Sequence, residues 1–77
     1  MIKGCKLPIH KQERLIEAIS KIEKIEDDKE ARNLIKTLEA HVNKLFWIEQ
    51  IDIGGYWDLM IRIVIAKERR AKQGGGA

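Results

Sequence analysis

The sequence predicts a small α+β domain in which an antiparallel pair of helices packs on a C-terminal β-hairpin. Two observations support this fold class. Apolar residues recur every three or four positions in the first half of the chain, and apolar and polar residues alternate across residues 45–66, around Gly54 and Gly55. The first spacing is typical of one helix face and the second of one strand face. A bundle of three helices, with residues 57–65 helical, is the alternative.

The first helix is predicted to begin at Ile9 or His10. Its apolar residues follow the spacing of an amphipathic helix, namely Leu15, Ala18, Ile19, Ile22 and Ile25. Residues 1–9 precede it and are the candidate for a short N-terminal strand, since Pro8 favours extended backbone at Leu7.

The second helix is predicted to begin at Asp27, because Asp27 and Glu30 have the spacing of a capping box. Its apolar stripe consists of Ala31, Leu34, Ile35, Leu38, Val42 and Leu45. The short connection predicts an antiparallel pair with the first helix, and one uninterrupted helix through Asp27 is the alternative. The second helix is expected to end near Phe46 or Trp47, although no glycine or proline marks that end.

The hairpin prediction depends on residues of one parity on both sides of the two glycines. The set consists of Leu45, Trp47, Ile51, Ile53, Trp57, Leu59, Ile61, Ile63 and Ile65. A loop of three or five residues keeps these side chains on one face, and it requires a glycine at positive φ. We assign residues 1–73 to the single domain and residues 74–77 to a disordered glycine-rich tail.

Composition restricts the class of protein. The chain has 77 residues, of which 44% are hydrophobic and 35% charged, which is typical of one small folded domain. It has a single cysteine and no apolar signal segment, so the predicted location is the cytoplasm. The longest nearly continuous apolar stretch, residues 59–66, is interrupted by Arg62 and is too short to span a membrane.

No catalytic, metal or cofactor site is predicted. Cys5, His10 and His41 are too few to form a structural zinc site, and Ser20 and Cys5 have no recognisable base. The acidic cluster of Glu26, Asp27, Asp28 and Glu30 lacks the spacing of a calcium loop, and Gly54 and Gly55 belong to no phosphate-binding motif. We therefore expect a protein that is not an enzyme.

A homodimer is predicted from the hairpin. A two-stranded ribbon leaves both edges unpaired, and its second face carries more apolar residues than a surface in water normally does. Pairing two hairpins about a two-fold axis would cover both. The predicted dimer or partner interface consists of Phe46, Ile48, Tyr56, Met60 and Val64.

The two ends of the chain carry the excess positive charge: Lys3, Lys6 and Lys11 near the N-terminus, and a basic C-terminal segment in residues 67–73. The net charge is +3, and the candidate phosphate contacts are Lys67, Arg69, Arg70 and Lys72.

The predicted interface and the basic segment lead to two expected functions. The first is a non-enzymatic homodimeric adaptor or regulator that binds a protein partner through its hairpin and aromatic residues. The alternative is a nucleic-acid-associated protein. No motif identifies a particular partner or process.

Overall fold

The computed structural model describes residue 2 and residues 4–75, which form a three-helix bundle. The helices are α1 (Ile9–Lys24), α2 (Asp28–Trp47) and α3 (Ile53–Gly75), and each contacts the other two. Within the described residues there is no strand, so the α+β prediction is wrong and the three-helix alternative is correct. Of the predicted tail, residues 74 and 75 continue α3, and residues 76 and 77 lie outside the described part of the chain.

The first two helices begin and end close to where their periodicity predicts. The chain is extended at Ile25, and α2 then starts after Asp27. The Asp27 carboxylate accepts hydrogen bonds from the backbone N–H groups of Lys29 (2.8 Å) and Glu30 (3.4 Å). This cap satisfies donors that have no partner within the helix, which is why one uninterrupted helix does not form.

The end of α2 is a Schellman motif built on Glu49. Glu49 has a φ of 62°, its N–H donates to the Phe46 carbonyl (3.1 Å), and the Gln50 N–H donates to the Leu45 carbonyl (2.9 Å). These are the two bonds that define the motif, in which the left-handed position is usually glycine. Because this position holds a glutamate, no glycine in the sequence marks the end of the helix.

Replacement of Glu49 by glycine is expected to raise the free energy of unfolding by about 0.5–1 kcal/mol, because the left-handed conformation is strained for a residue with a Cβ atom. Urea denaturation followed by circular dichroism measures the change. Glu49→Ala is the control, since it removes the same carboxylate and keeps the Cβ atom. A glycine variant no more stable than the alanine variant would contradict the assignment.

Helix α3 begins where the hairpin turn was predicted. Asp52 caps it, with its carboxylate accepting the Gly55 N–H (2.8 Å) and its carbonyl accepting the Tyr56 N–H (2.9 Å). Gly54 and Gly55 therefore lie in the first helical turn, and neither has the positive φ that the predicted loop required. The predicted hairpin does not form. The prediction of a dimer was based on its unpaired edges and its second face, so that basis is removed.

The N-terminal segment closes one end of the bundle. The predicted N-terminal strand is reduced to one isolated antiparallel bridge between Cys5 and Ile51. Gln12 is buried in α1, where its side chain donates to the Leu7 carbonyl (2.7 Å) and accepts the Ile2 N–H (3.1 Å). These bonds satisfy the buried amide and hold the Ile2 side chain in the core.

The core draws on all three helices, on the N-terminal segment and on the connection between α2 and α3. Its buried members are Ile2, Leu15, Ile19, Ile22, Leu38, Val42, Leu45, Ile51, Leu59, Ile63 and Ala66. Helix α3 contributes Leu59, Ile63 and Ala66, which recur at steps of four and three. This stripe fixes which side of α3 faces α1 and α2, and it thereby fixes which side faces solvent.

Candidate functional site

The candidate site is the outer face of α3, a row of large apolar side chains on the side opposite its core stripe. It comprises Ile53, Trp57, Ile61, Val64 and Ile65, which are between 43% and 57% exposed. Scattered apolar residues are normal on protein surfaces, but a continuous row along one helix indicates an interaction surface.

Both faces of α3 are apolar, and this explains the alternation in the sequence. Leu59 and Ile63 are four residues apart and lie on the buried face. Trp57, Ile61 and Ile65 are also four residues apart, but they are offset by two positions and lie on the exposed face. Two helical stripes with this offset produce the same alternation as one face of a strand.

Aromatic side chains connect the end of α2 to the outer face of α3. The Phe46 and Tyr56 rings are 5.3 Å apart between centroids, and the Tyr56 and Trp57 rings are 5.6 Å apart in an edge-to-face arrangement. Phe46 and Tyr56 pack against the core, whereas Trp57 is more than half exposed. Tyr56 therefore contacts one side of the Trp57 ring, and more than half of the Trp57 surface stays accessible.

The five residues predicted as an interface do not form the common face that the hairpin would have supplied. Phe46, Tyr56 and Met60 are half-buried against the core. Ile48 is exposed after α2, and Val64 belongs to the outer face of α3. The other four members of the outer face were not predicted as interface residues. Their helical spacing is visible in the sequence, but the alternation assigned all four of them to the apolar face of the hairpin that was predicted to pack on the helices.

The four predicted phosphate contacts differ in accessibility. Lys67, Arg69 and Lys72 are exposed on the last turns of α3. Arg70 is only 19% exposed, and its guanidinium bonds to the Asp28 carboxylate (2.8 Å) and the Glu26 carbonyl (3.2 Å). Arg70 thus joins α3 to the start of α2, so three of the four side chains are left for a ligand.

Two surface depressions lie near the N-terminal segment. The larger, of about 780 Å³, is lined in part by Cys5, Trp47 and Asp52. Its lining residues among those described include no histidine, so Cys5 has no imidazole base there. The smaller, of about 480 Å³, has an apolar floor that includes Leu45, with Arg14 among its cationic neighbours.

Residue 2 and residues 4–75 contain no group of three histidine, cysteine, aspartate or glutamate side chains placed to hold a metal ion. In the same part of the chain, no helix combines the length and the apolar character that crossing a bilayer requires.

Comparison of the chain with protein-family models, curated proteins and solved structures found no match.

Proposed function

We propose that the chain is a non-enzymatic protein-interaction module, an adaptor or regulator that binds a protein partner through the outer face of α3. The observation that carries the proposal is that α3 is apolar on both of its faces. A helix at a protein surface normally carries charged and polar residues opposite its core stripe. In the isolated chain, only the side of α3 that faces α1 and α2 is covered.

The exposed side chains supply a driving force for binding. Burial of a large aliphatic or aromatic side chain contributes about 1.5–3 kcal/mol, and each of the five is already about half-covered. Part of this free energy offsets the cost of ordering two molecules, and the remainder favours binding. Contiguous apolar patches of several hundred Å² on a protein surface commonly mark interaction sites.

Trp57 is the residue we expect to anchor the partner. Tryptophan is enriched among the residues that dominate binding energy, particularly near the centre of an interface. Its contact with Tyr56 limits the freedom that the indole ring loses on binding, because the ring already packs edge to face.

A cytoplasmic location belongs to the same proposal. The chain has one cysteine, Cys5, which has no second cysteine in the chain to pair with. This usage is typical of proteins from a reducing compartment.

Affinity isolation from a lysate of the source cells tests the proposal. The chain carries a C-terminal tag, and the variant Ile61→Lys places a charge at the middle of the outer face. We expect the wild-type chain to retain a defined protein and the variant to lose it, because a charge buried without a partner opposes binding. Mass spectrometry identifies what is retained, and this includes untagged copies of the chain if those are expressed.

Ile9→Lys is the matched control. Ile9 is 55% exposed and Ile61 is 54% exposed, but Ile9 lies at the start of α1. The control variant should retain the same protein as the wild-type chain. Equal retention by all three chains, or none by any of them, would contradict the proposal.

Nucleic-acid association is the second candidate function, and the exposure of Lys67, Arg69 and Lys72 favours it. Three phosphate contacts would give weak binding that is blind to sequence, with a salt slope of about −3 on logarithmic axes. A gel-shift titration with duplex DNA and with RNA at about 50 mM salt is the test. Absence of a shift at that salt concentration would remove this candidate.

A further inference from the structure

We infer that the partner on the outer face of α3 is a second copy of the chain, packed antiparallel about a two-fold axis that passes near Ile61. This inference rests on the function proposed above and specifies the partner. Three features of α3 support it: the distribution of charge along the helix, the spacing of its exposed apolar residues, and the size of the surface.

Charge is separated along α3 and the residues that lead into it. The acidic side chains Asp52 and Asp58 lie towards its N-terminal end, where Asp58 pairs with Arg62 (3.4 Å). The C-terminal end is net positive, since exposed Lys67, Arg69 and Lys72 outnumber Glu68. Antiparallel pairing places each acidic end beside the cationic end of the other copy. Parallel pairing would instead place like charges together and align the two helix dipoles. The charges thus favour a second copy, and they favour one orientation.

The exposed stripe has the spacing of a seam between paired helices. Trp57, Ile61 and Val64 follow one another at steps of four and three, and Glu68 continues the pattern after a further step of four. This alternation of three and four is typical of helices that pack along their length. The seam is therefore apolar at its centre and carries a charge at one end.

A two-fold axis near Ile61 brings together residues that lie equally far from it in sequence. Trp57 would lie against Ile65 of the second copy, which pairs an aromatic with an aliphatic side chain. Glu68 would lie over Gly54 of the second copy, in the first turn of α3. Glycine leaves room there for the longer side chain. The Asp52 carboxylate already caps this end of the helix, so Glu68 gains space at this position and no favourable charge.

The position of the axis sets the size of the surface. With the axis near Ile61, residues 53–69 of the two copies overlap, which is about 25 Å of paired helix at 1.5 Å per residue. A standard interface buries about 800 Å² on each side, with an apolar centre and a polar rim. The outer face supplies that centre, and the charged residues at its two ends supply the rim. A chain of this size also gains from a larger shared core.

Sedimentation equilibrium over the micromolar range, with untagged protein, tests the inference. We expect the wild-type chain and Ile9→Lys to dimerise alike, and Ile61→Lys to have a dissociation constant about 30-fold higher or more, since each dimer would bury two charges at its centre. Far-ultraviolet circular dichroism checks that both variants stay helical, because residues 9 and 61 are exposed in the monomer.

A spin-label distance measurement tests the orientation. The label is attached to Ala71→Cys in a Cys5→Ser background, so that each copy carries one label. Ten residues separate position 71 from the axis, so antiparallel pairing predicts labels about 30 Å apart at 1.5 Å per residue. Parallel pairing would bring them to roughly the spacing of neighbouring helix axes, about 10 Å, plus the length of the labels.

The outcomes separate this inference from the proposed function. If the wild-type chain stays monomeric at high micromolar concentration, the inference that the partner is a second copy is wrong. The proposed function still stands in that case if affinity isolation yields another protein that the Ile61→Lys variant does not retain. A dimer unaffected by Ile61→Lys, or labels at the short distance, overturns the inference as well. Flotation of the monomer with vesicles of phosphatidylcholine and phosphatidylglycerol, lost in Ile61→Lys, would identify a membrane surface and overturn both.

Discussion

Replacement of Ile63 by alanine is expected to lower the free energy of unfolding by about 3 kcal/mol. Ile63 is fully buried among core residues of all three helices, so the shorter side chain loses its burial and leaves a cavity. A domain of this size has only several kcal/mol of stability in total, so the variant should unfold at a much lower urea concentration. Urea denaturation at a protein concentration low enough for the chain to be monomeric measures the effect.

Ile61→Ala is the matched control, two residues away. Ile61 is 54% exposed, and we expect its truncation to cost less than about 1 kcal/mol in the monomer. The pair of variants also tests the fold. In a β-hairpin, residues 61 and 63 would share one face and respond alike. In α3 they lie on opposite sides, so a large difference is expected. Equal losses would contradict the helix.

Replacement of Gly4 by alanine is expected to lower the free energy of unfolding by about 2–3 kcal/mol. Gly4 has a φ of +68°, which is strained for any residue with a Cβ atom. The added Cβ would also overlap the carboxylate of Asp52, the side chain that caps α3. One methyl group therefore strains the backbone and displaces the cap, which alone contributes about 1 kcal/mol.

A double-mutant cycle separates these two effects. Asp52→Ala alone should cost about 1 kcal/mol, the usual loss of a helix cap. In that background the carboxylate is absent, so Gly4→Ala should cost about 1 kcal/mol less than it does in the wild-type chain. Thermal and urea unfolding of the four proteins gives the coupling free energy. Strictly additive losses would show that residues 4 and 52 do not make this contact.

The first two helices could be predicted from the sequence because each has one apolar stripe. Leu15, Ile19 and Ile22 are buried on one side of α1, with charged residues on the other. Asp27 is a recognisable cap, and the structure uses it as one. In both helices one spacing had no competitor, so the helical pattern was sufficient.

The third helix was mispredicted because its sequence fits two periodicities. Exposed apolar residues at 57, 61 and 65 complete an alternation with the buried residues 59 and 63. Gly54 and Gly55 then resemble a turn, although they are the start of a helix. Two signals favoured the helix: Asp52 stands three residues before Gly55 as a cap, and the core stripe continues from Ile63 to Ala66 at a step of three. Because no glycine directly follows α2, the boundary between α2 and α3 was not visible in the sequence.

The candidate site was predicted only in part, for the same reason. Val64 was assigned to an interface, whereas Trp57 and Ile61 were assigned to the core. Local pattern shows that a helix has two apolar faces, but it does not show which of them the rest of the chain covers. That choice depends on packing between α3 and the other two helices, which a periodicity cannot report.

The burial of Ile2 has a practical consequence for handling the protein. Its side chain is 4% exposed, and its N–H is bonded to Gln12. Loss of Ile2 would remove a core side chain and leave the Gln12 amide oxygen without its donor. Affinity tags and fluorescent reporters are therefore better fused after α3, and protease cleavage sites should not be engineered upstream of residue 4.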